Sequence, residues 1–210
     1  MKIAICGSTG KMGKAFIAHF SEQHELIKIH AQGQRLADVI EEVDMVVDFT
    51  RAKPAFEHAV LALTHRIPII IGTTGFSDHQ KQLLRLISLK METGCMLASN
   101  FSIGMLWIKR NINELSKYFK DIKIIESHHI SKVDYPSGTS LSLKRIMRHP
   151  KLPIISIRRD NKQVKHRIIL DNENEQVIIE HIVKKPSAYM IQLEECIETI
   201  PQMHSFIEYE

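Results

Sequence analysis

The chain has 210 residues, 44% of them hydrophobic and 25% charged, with a net charge of +4. That is enough apolar material for a sizeable core in one large domain or two small ones, and no apolar run reaches the roughly 18 residues of a membrane span. The basic residues are scattered, with short clusters only at Arg158-Arg159 and Lys184-Lys185, which excludes a platform of interleaved cations and aromatics for nucleic acid.

Lys2 to Cys6 is a short apolar run ended by glycine, and it reads as a buried parallel strand rather than a signal peptide. The turn 7-GSTGKMG-13 follows, then KAFIAHFSEQ with helical spacing at Ala15, Ile17, Ala18 and Phe20. Leu26 to His30 reads as a second strand, Arg35 to Val43 as a short helix and Met45 to Phe49 as a third strand. Pro54 to Leu63 is expected to be a helix opened by its proline, and Ile67 to Ile71 a strand running into GTTG. Ser77 to Glu92 reads as a helix capped by Ser77, and Cys95 to Ala98 as a fifth strand. Strand and helix alternate up to about residue 100, which indicates a doubly wound, Rossmann-like parallel sheet of the α/β class.

The second half has another pattern. Ile103 to Phe119 reads as a long helix, Ile122 to Ser127 as a strand and Ser137 to Met147 as a helix. Ile154 to Arg158, His166 to Leu170 and Gln176 to Val183 are strand candidates with no helices between them, so a smaller α+β domain with a mostly antiparallel sheet is expected. Tyr189 to Ile200 reads as a helix that returns to the first lobe. The expected division is 1–102 with 187–210 folding back onto it, and 103–186 as the second domain. All nine glycines lie at or before Gly138, so the last third has no glycine turn.

In doubly wound sheets ligands bind at the C-terminal ends of the strands, where GSTGKMG, DFTR, GTTGF and SNFS fall. Gly7, Gly10 and Gly13 follow a strand and open a helix, as a pyrophosphate-binding turn does. The spacing is GxxGxxG, with Thr9 where the usual middle glycine stands. At the end of strand two, His30-Ala31-Gln32-Gly33-Gln34-Arg35 contains no carboxylate to read a ribose hydroxyl, whereas Lys11 and Arg35 could accommodate a 2′-phosphate.

The stretch 126-ESHHISKVDYPSGTSL-141 is the second focus. In an extended chain His128 and Lys132 share one face and His129 takes the other, so the two histidines do not converge on one metal, and no metal site is expected. A histidine titrating near neutral pH suits proton transfer, and a lysine holds negative charge. Ser137 is the expected N-cap of a helix whose first amides can bind a carboxylate. Set against this is a plain reading, a helix-capping turn with surface histidines.

Five segments in order, IAICGSTGKMG, VVDFTR, IIIGTTGF, ASNFSIGM and IIESHHISKVDYPSGTSL, resemble the 4-hydroxy-tetrahydrodipicolinate reductase (dihydrodipicolinate reductase) family. The resemblance implies hydride transfer from NADPH or NADH with loss of water, giving tetrahydrodipicolinate in lysine and diaminopimelate biosynthesis. It implies a small dicarboxylate substrate, a homotetramer, a cytoplasmic location and no nucleic-acid or membrane partner. By position it makes His128 the proton donor and acceptor, Lys132 the second catalytic residue, and His129, Lys132, Gly138 and Thr139 substrate ligands. Gly7, Ser8, Thr9, Gly10, Lys11, Met12, Phe49, Arg51, Gly72, Thr73, Thr74, Ala98, Ser99, Asn100 and Phe101 would line the dinucleotide. The chain is shorter than typical members. Beyond Leu141 the match is faint, and Lys185-Pro186-Ser187-Ala188-Tyr189 replaces the family's closing R-x-x-F-A-x-G-A. The alternative is a dinucleotide-binding homologue with weak or no activity.

Overall fold

The computed structural model describes residues 1–160 and 163–209. In chain order the elements are β1 (Lys2–Cys6), α1 (Lys11–Phe20), β2 (Glu25–Ile29), β3 (Met45–Asp48), α2 (Ala52–Thr64), β4 (Ile69–Ile71), α3 (Asp78–Met91), β5 (Cys95–Ala98), α4 (Ile103–Ser116), β6 (Asp121–His129), α5 (Gly138–Ile146), β7 (Ile154–Arg159), β8 (Val164–Asp171), β9 (Gln176–Val183), α6 (Met190–Thr199) and β10 (Phe206–Tyr209). They form two compact units, Met1–Phe101 with Tyr189–Tyr209, and Ser102–Ala188.

The first unit is a six-stranded sheet in the order β10-β5-β4-β3-β1-β2, with every pairing parallel. Its short strands are apolar at nearly every position, because a parallel sheet must be covered on both faces. Alternation divides each strand between two cores. Ala4, Cys6, Val46, Ile69 and Ile71 pack with Ala55, Ala59, Ala62 and Leu84 of α2 and α3. Ile3, Ile5, Met45, Val47 and Ile70 pack with Phe16 and Phe20 of α1 and Met190 and Leu193 of α6. Phe16 and Phe20 are fully buried, and each contributes about 2–3 kcal/mol of transfer free energy. β2 and β3 flank β1 on opposite sides, so the order of strands reverses at β1, and a crevice opens at the C-terminal ends of β1 and β3.

Several expected elements differ in detail. α1 begins at Lys11, so the turn before it spans only Gly7 to Gly10. The helix expected over 35–43 is instead two 3-10 turns, Leu36–Asp38 and Ile40–Glu42. Leu36, Val39, Ile40 and Val43 are all buried as their spacing requires, and 3-10 turns present residues i and i+3 on one side as well as an α-helix does. Pro54 is the third residue of α2 rather than its first, still within the turn whose amides lack helical acceptors. β10 was not expected at all. It pairs in parallel with β5, Phe206 facing Cys95, and α3 ties to it through Lys81 Nζ and Glu208 Oε1 at 2.5 Å.

The second unit is a four-stranded sheet in the order β7-β6-β8-β9. β6 pairs parallel with β7 and antiparallel with β8, and β8 pairs antiparallel with β9. One face packs Ile122, Ile124, Ile168 and Leu170 against Met105, Ile108 and Ile112 of α4 and Leu143 of α5. The β8–β9 turn needs no glycine. The Asn172 carboxamide oxygen accepts from the amides of Asn174 and Glu175, both at 2.9 Å, so a side chain supplies the turn.

Candidate active site

In the first unit the expected loops lie at adjacent strand ends, and backbone bonds lace them together. Phe49 N–H donates to the Cys6 carbonyl at 3.0 Å, Gly72 N–H to that of Asp48 at 2.8 Å, and the Thr73 hydroxyl to that of Thr50 at 3.3 Å. Gly7 has φ +81°, a conformation few side chains adopt, and a Cβ there would lie 2.9 Å from the Phe49 carbonyl oxygen. A Cβ on Gly13 would run into the Gly7 carbonyl and the Ser8 backbone, so this glycine lets helix and turn close on each other. Gly10 is the N-cap of α1 and makes no side-chain cap bond, an arrangement that leaves the helix start suited to an anion.

Phe49, Gly72 and Phe101 pack together, with the two rings 6.4 Å apart edge to face and a Gly72 Cβ excluded by both. Ala98 and Phe101 are buried and belong to the core beneath the loops, so they shape the floor. Arg51 is exposed at the start of α2, and Thr9 and Lys11 are exposed on the glycine turn. Met12 packs partly against the α1 core, and Ser8 donates its hydroxyl to the Ile29 carbonyl at 3.1 Å. Thr74, Ser99 and Asn100 lie in the loops after β4 and β5.

Asp48 holds the DFTR turn in shape. Its buried carboxylate accepts from Thr50 N–H at 2.7 Å and Thr50 Oγ1 at 2.6 Å, and it pairs with His58 Nδ1 at 2.6 Å. Cys6, Asp48 and His58 are the one group of three metal-capable side chains among the described residues. Burial pushes the Cys6 thiol up, reinforced by the Asp48 charge, and Thr50 and His58 meet the Asp48 carboxylate.

The groove beside the glycine turn, about 390 Å³, is lined by Ser8, Thr9, Lys14, Lys28 and His30, with no carboxylate. Arg35, a candidate for a 2′-phosphate, pairs with Asp38 three residues on at 2.8 Å. The cations that line this groove are Lys14 and Lys28.

In the second unit β6 runs to His129, and Lys132 lies beyond its end. His128 is buried on the core side of the sheet, while its neighbour His129 is half-buried on the other. The side-chain period of two puts Glu126 on the face of His128. Pairing register completes the cluster, because Arg158 on β7 stands opposite His128 and His166 on β8 opposite Glu126. The fully buried Glu126 carboxylate bonds His128 Nδ1, receives both oxygens' worth of Arg158 Nη1 at 3.0 Å, and accepts from Ser137 N–H at 3.3 Å. Burial pushes this carboxyl up, but bonds from His128 and Arg158 outweigh it and hold its pKa at about 2.

Ser137 caps α5 as expected, its hydroxyl accepting from Ser140 N–H at 3.3 Å. Gly138 and Thr139 therefore form the first turn of α5, next to the Glu126 bracket. His166 lies behind His128, with ring centroids 5.2 Å apart, and His181 behind His166 at 6.2 Å, bonded through Nε2 to Ser102 Oγ at 2.7 Å. Burial, with the charges of His128 and His181, lowers His166 to a pKa of about 3. It is a neutral wall of the site. His129 Nε2 meets Asp160 at 3.3 Å and Lys132 Nζ meets Asp134 at 3.1 Å, so these two of the four expected substrate ligands hold carboxylates of the chain itself.

Comparison with known proteins identifies the family. The family model "Dihydrodipicolinate reductase, N-terminus" matches residues 1–101, and "Dihydrodipicolinate reductase, C-terminus" matches 104–207, including the stretch beyond Leu141. The 4-hydroxy-tetrahydrodipicolinate reductase of Lysinibacillus sphaericus is 26% identical over 257 aligned positions, covering 99% of this chain and 97% of that protein. Its 257 positions against 210 residues leave at least 47 without a counterpart here. The enzyme of that name from Carboxydothermus hydrogenoformans is 32% identical over 170 residues, 70% of this chain and 65% of that one. A dipicolinate-bound dihydrodipicolinate reductase from Paenisporosarcina sp. TG-14 shares the fold, with a TM-score of 0.80 at 22% identity over 99% of this chain and 97% of that one. The chain belongs to the dihydrodipicolinate reductase family.

Proposed function

We propose that this protein reduces 4-hydroxy-tetrahydrodipicolinate to tetrahydrodipicolinate with loss of water, using NADPH or NADH. The observation that carries this is the second unit's cluster, in which a buried histidine, an arginine and the start of a helix surround one carboxylate. The glycine cradle at the start of α1 fits a pyrophosphate. Gly7, Ser8, Thr9, Gly10, Lys11 and Met12 would hold it, and the loops after β3, β4 and β5 would line the rest. When bound, the dinucleotide supplies the hydride.

The chain's own residues manage charge and protons. Substrate carboxylates are anions, and the amides of Gly138 and Thr139 at the positive end of α5 suit one of them. Lys132 and His129 already hold Asp134 and Asp160, and exchanging these for substrate carboxylates leaves the number of ion pairs unchanged. His128 donates its Nε2 proton as negative charge develops on the substrate, and Lys132 stabilises that charge. The groove flanked by Lys14 and Lys28 supports acceptance of a 2′-phosphate, hence NADPH as well as NADH.

A second copy of the chain is the partner assigned to the open face of the β7-β6-β8-β9 sheet. Ile155, Ile178 and Ile182 are 49%, 43% and 39% exposed there, an apolar surface that self-association would cover, consistent with a homotetramer. Among the described residues no helix is long and apolar enough to cross a membrane, and we place the enzyme in the cytoplasm. The test is a coupled assay with freshly generated substrate and each dinucleotide in turn. Turnover is expected with both, and dinucleotide binding without turnover would favour the inactive-homologue reading.

A further inference from the structure

The geometry points to Glu126, braced by Arg158, as the positioning residue that presents His128 for proton transfer; this rests on the reductase reading above. A carboxylate can only accept, so the proton shared by Glu126 and His128 belongs to Nδ1 of the ring. The neutral ring is thereby held as the Nδ1–H tautomer, and Nε2 is the atom left to release and regain a proton. A buried carboxylate is stable only when its charge is met, and Arg158 meets it through both oxygens. The same guanidinium donates to the Asp134 carbonyl and lies 5.1 Å over the Tyr135 ring. Glu126 in turn accepts the Ser137 amide. One ion pair thus fixes the histidine on β6 and the segment that leads into α5. The groups facing His128 are Glu126 on its own strand, Arg158 from β7, His166 from β8 with His181 behind it, Ser137 at α5, and Lys132 beyond the strand, whose charge reaches His166.

The role is read most directly from the ¹⁵N shifts of the His128 ring in the full-length protein. The wild type is expected to show the Nδ1–H tautomer. In Glu126→Gln the carboxamide can donate as well as accept, so the ring should no longer be held to that tautomer and an Nε2–H population should appear. In that variant kcat should fall about 10- to 100-fold. The KM for dinucleotide should stay within about twofold, since its residues are untouched, and Glu126→Asp should recover part of the activity. An Nε2–H tautomer in the wild type overturns the assignment, as does a folded Glu126→Gln protein with an unchanged tautomer. If that variant does not fold, the wild-type tautomer alone decides. The expected tautomers in a protein without turnover would support the placement of His128 and overturn only the reductase reading.

Discussion

At the scale of single residues, two buried groups of the second unit govern the response to acid. His166 has a folded pKa of about 3, below its ordinary 6.5. The unfolded chain binds the extra proton between these values, so this contribution is complete above pH 6.5 and is lost as pH falls toward 3. The slope is about 1.4 kcal/mol per pH unit. Glu126, at about 2 against 4.5, adds a loss only below pH 4.5. Urea unfolding should therefore weaken between pH 6.5 and 4.5, and His166→Gln should flatten part of that slope, with His181, which burial also lowers, carrying another part; an unchanged slope in the variant would remove His166 from the account. The proposed proton donor makes a separate prediction. His128→Gln should lower kcat roughly 10²-fold or more, the scale of general acid catalysis, with dinucleotide affinity by calorimetry unaltered. Glu126 was missed in the sequence, although positions i and i+2 of a strand share a face and could have pointed to it. Arg158 and His166 were not legible there, because only the register of β7 and β8 against β6 brings them to the site.

At the scale of elements, local signals and tertiary context divide the work. Ser77 and Gln80 form a reciprocal capping box at the start of α3, and this was readable because the bonds close within four residues. Ser77→Ala should cost about 1 kcal/mol in chemical denaturation. The 3-10 turns over 36–42 were misread as a helix because apolar spacing at i, i+3 and i+4 serves both. β10 left no periodic signal in four residues, yet Phe206 is buried in the core between sheet and α3. Ending the chain at Met203 should lower the melting temperature and promote aggregation, since it exposes the edge of β5 and opens a cavity. A truncated protein melting with the full chain would show that β10 only decorates the sheet.

At the scale of the whole molecule, the open face of the second unit's sheet makes the prediction. Replacing Ile155 and Ile178 together by lysine should lower the mass seen by light scattering, with circular dichroism unchanged, because both side chains are exposed and no core is disturbed. A full-mass assembly in the double variant would place the contacts between copies elsewhere. The shortening relative to the relatives falls on the molecule as a whole as well. Both family models still match this chain, and both sheets are present.

The sequence by itself determined the class of fold, the four cofactor-type strand ends and the histidine-lysine stretch, because each is written in contiguous residues whose period or glycine spacing has a local physical cause. The tertiary structure alone decided the order of strands, and with it the crevice beside β1. It also decided that Arg35 is held by Asp38 and that Glu126 is charged, buried and shared among His128, Arg158 and Ser137. The physical reason is the same in each case. Pairing register and burial join residues tens of positions apart, and nothing in their separate neighbourhoods records the partner.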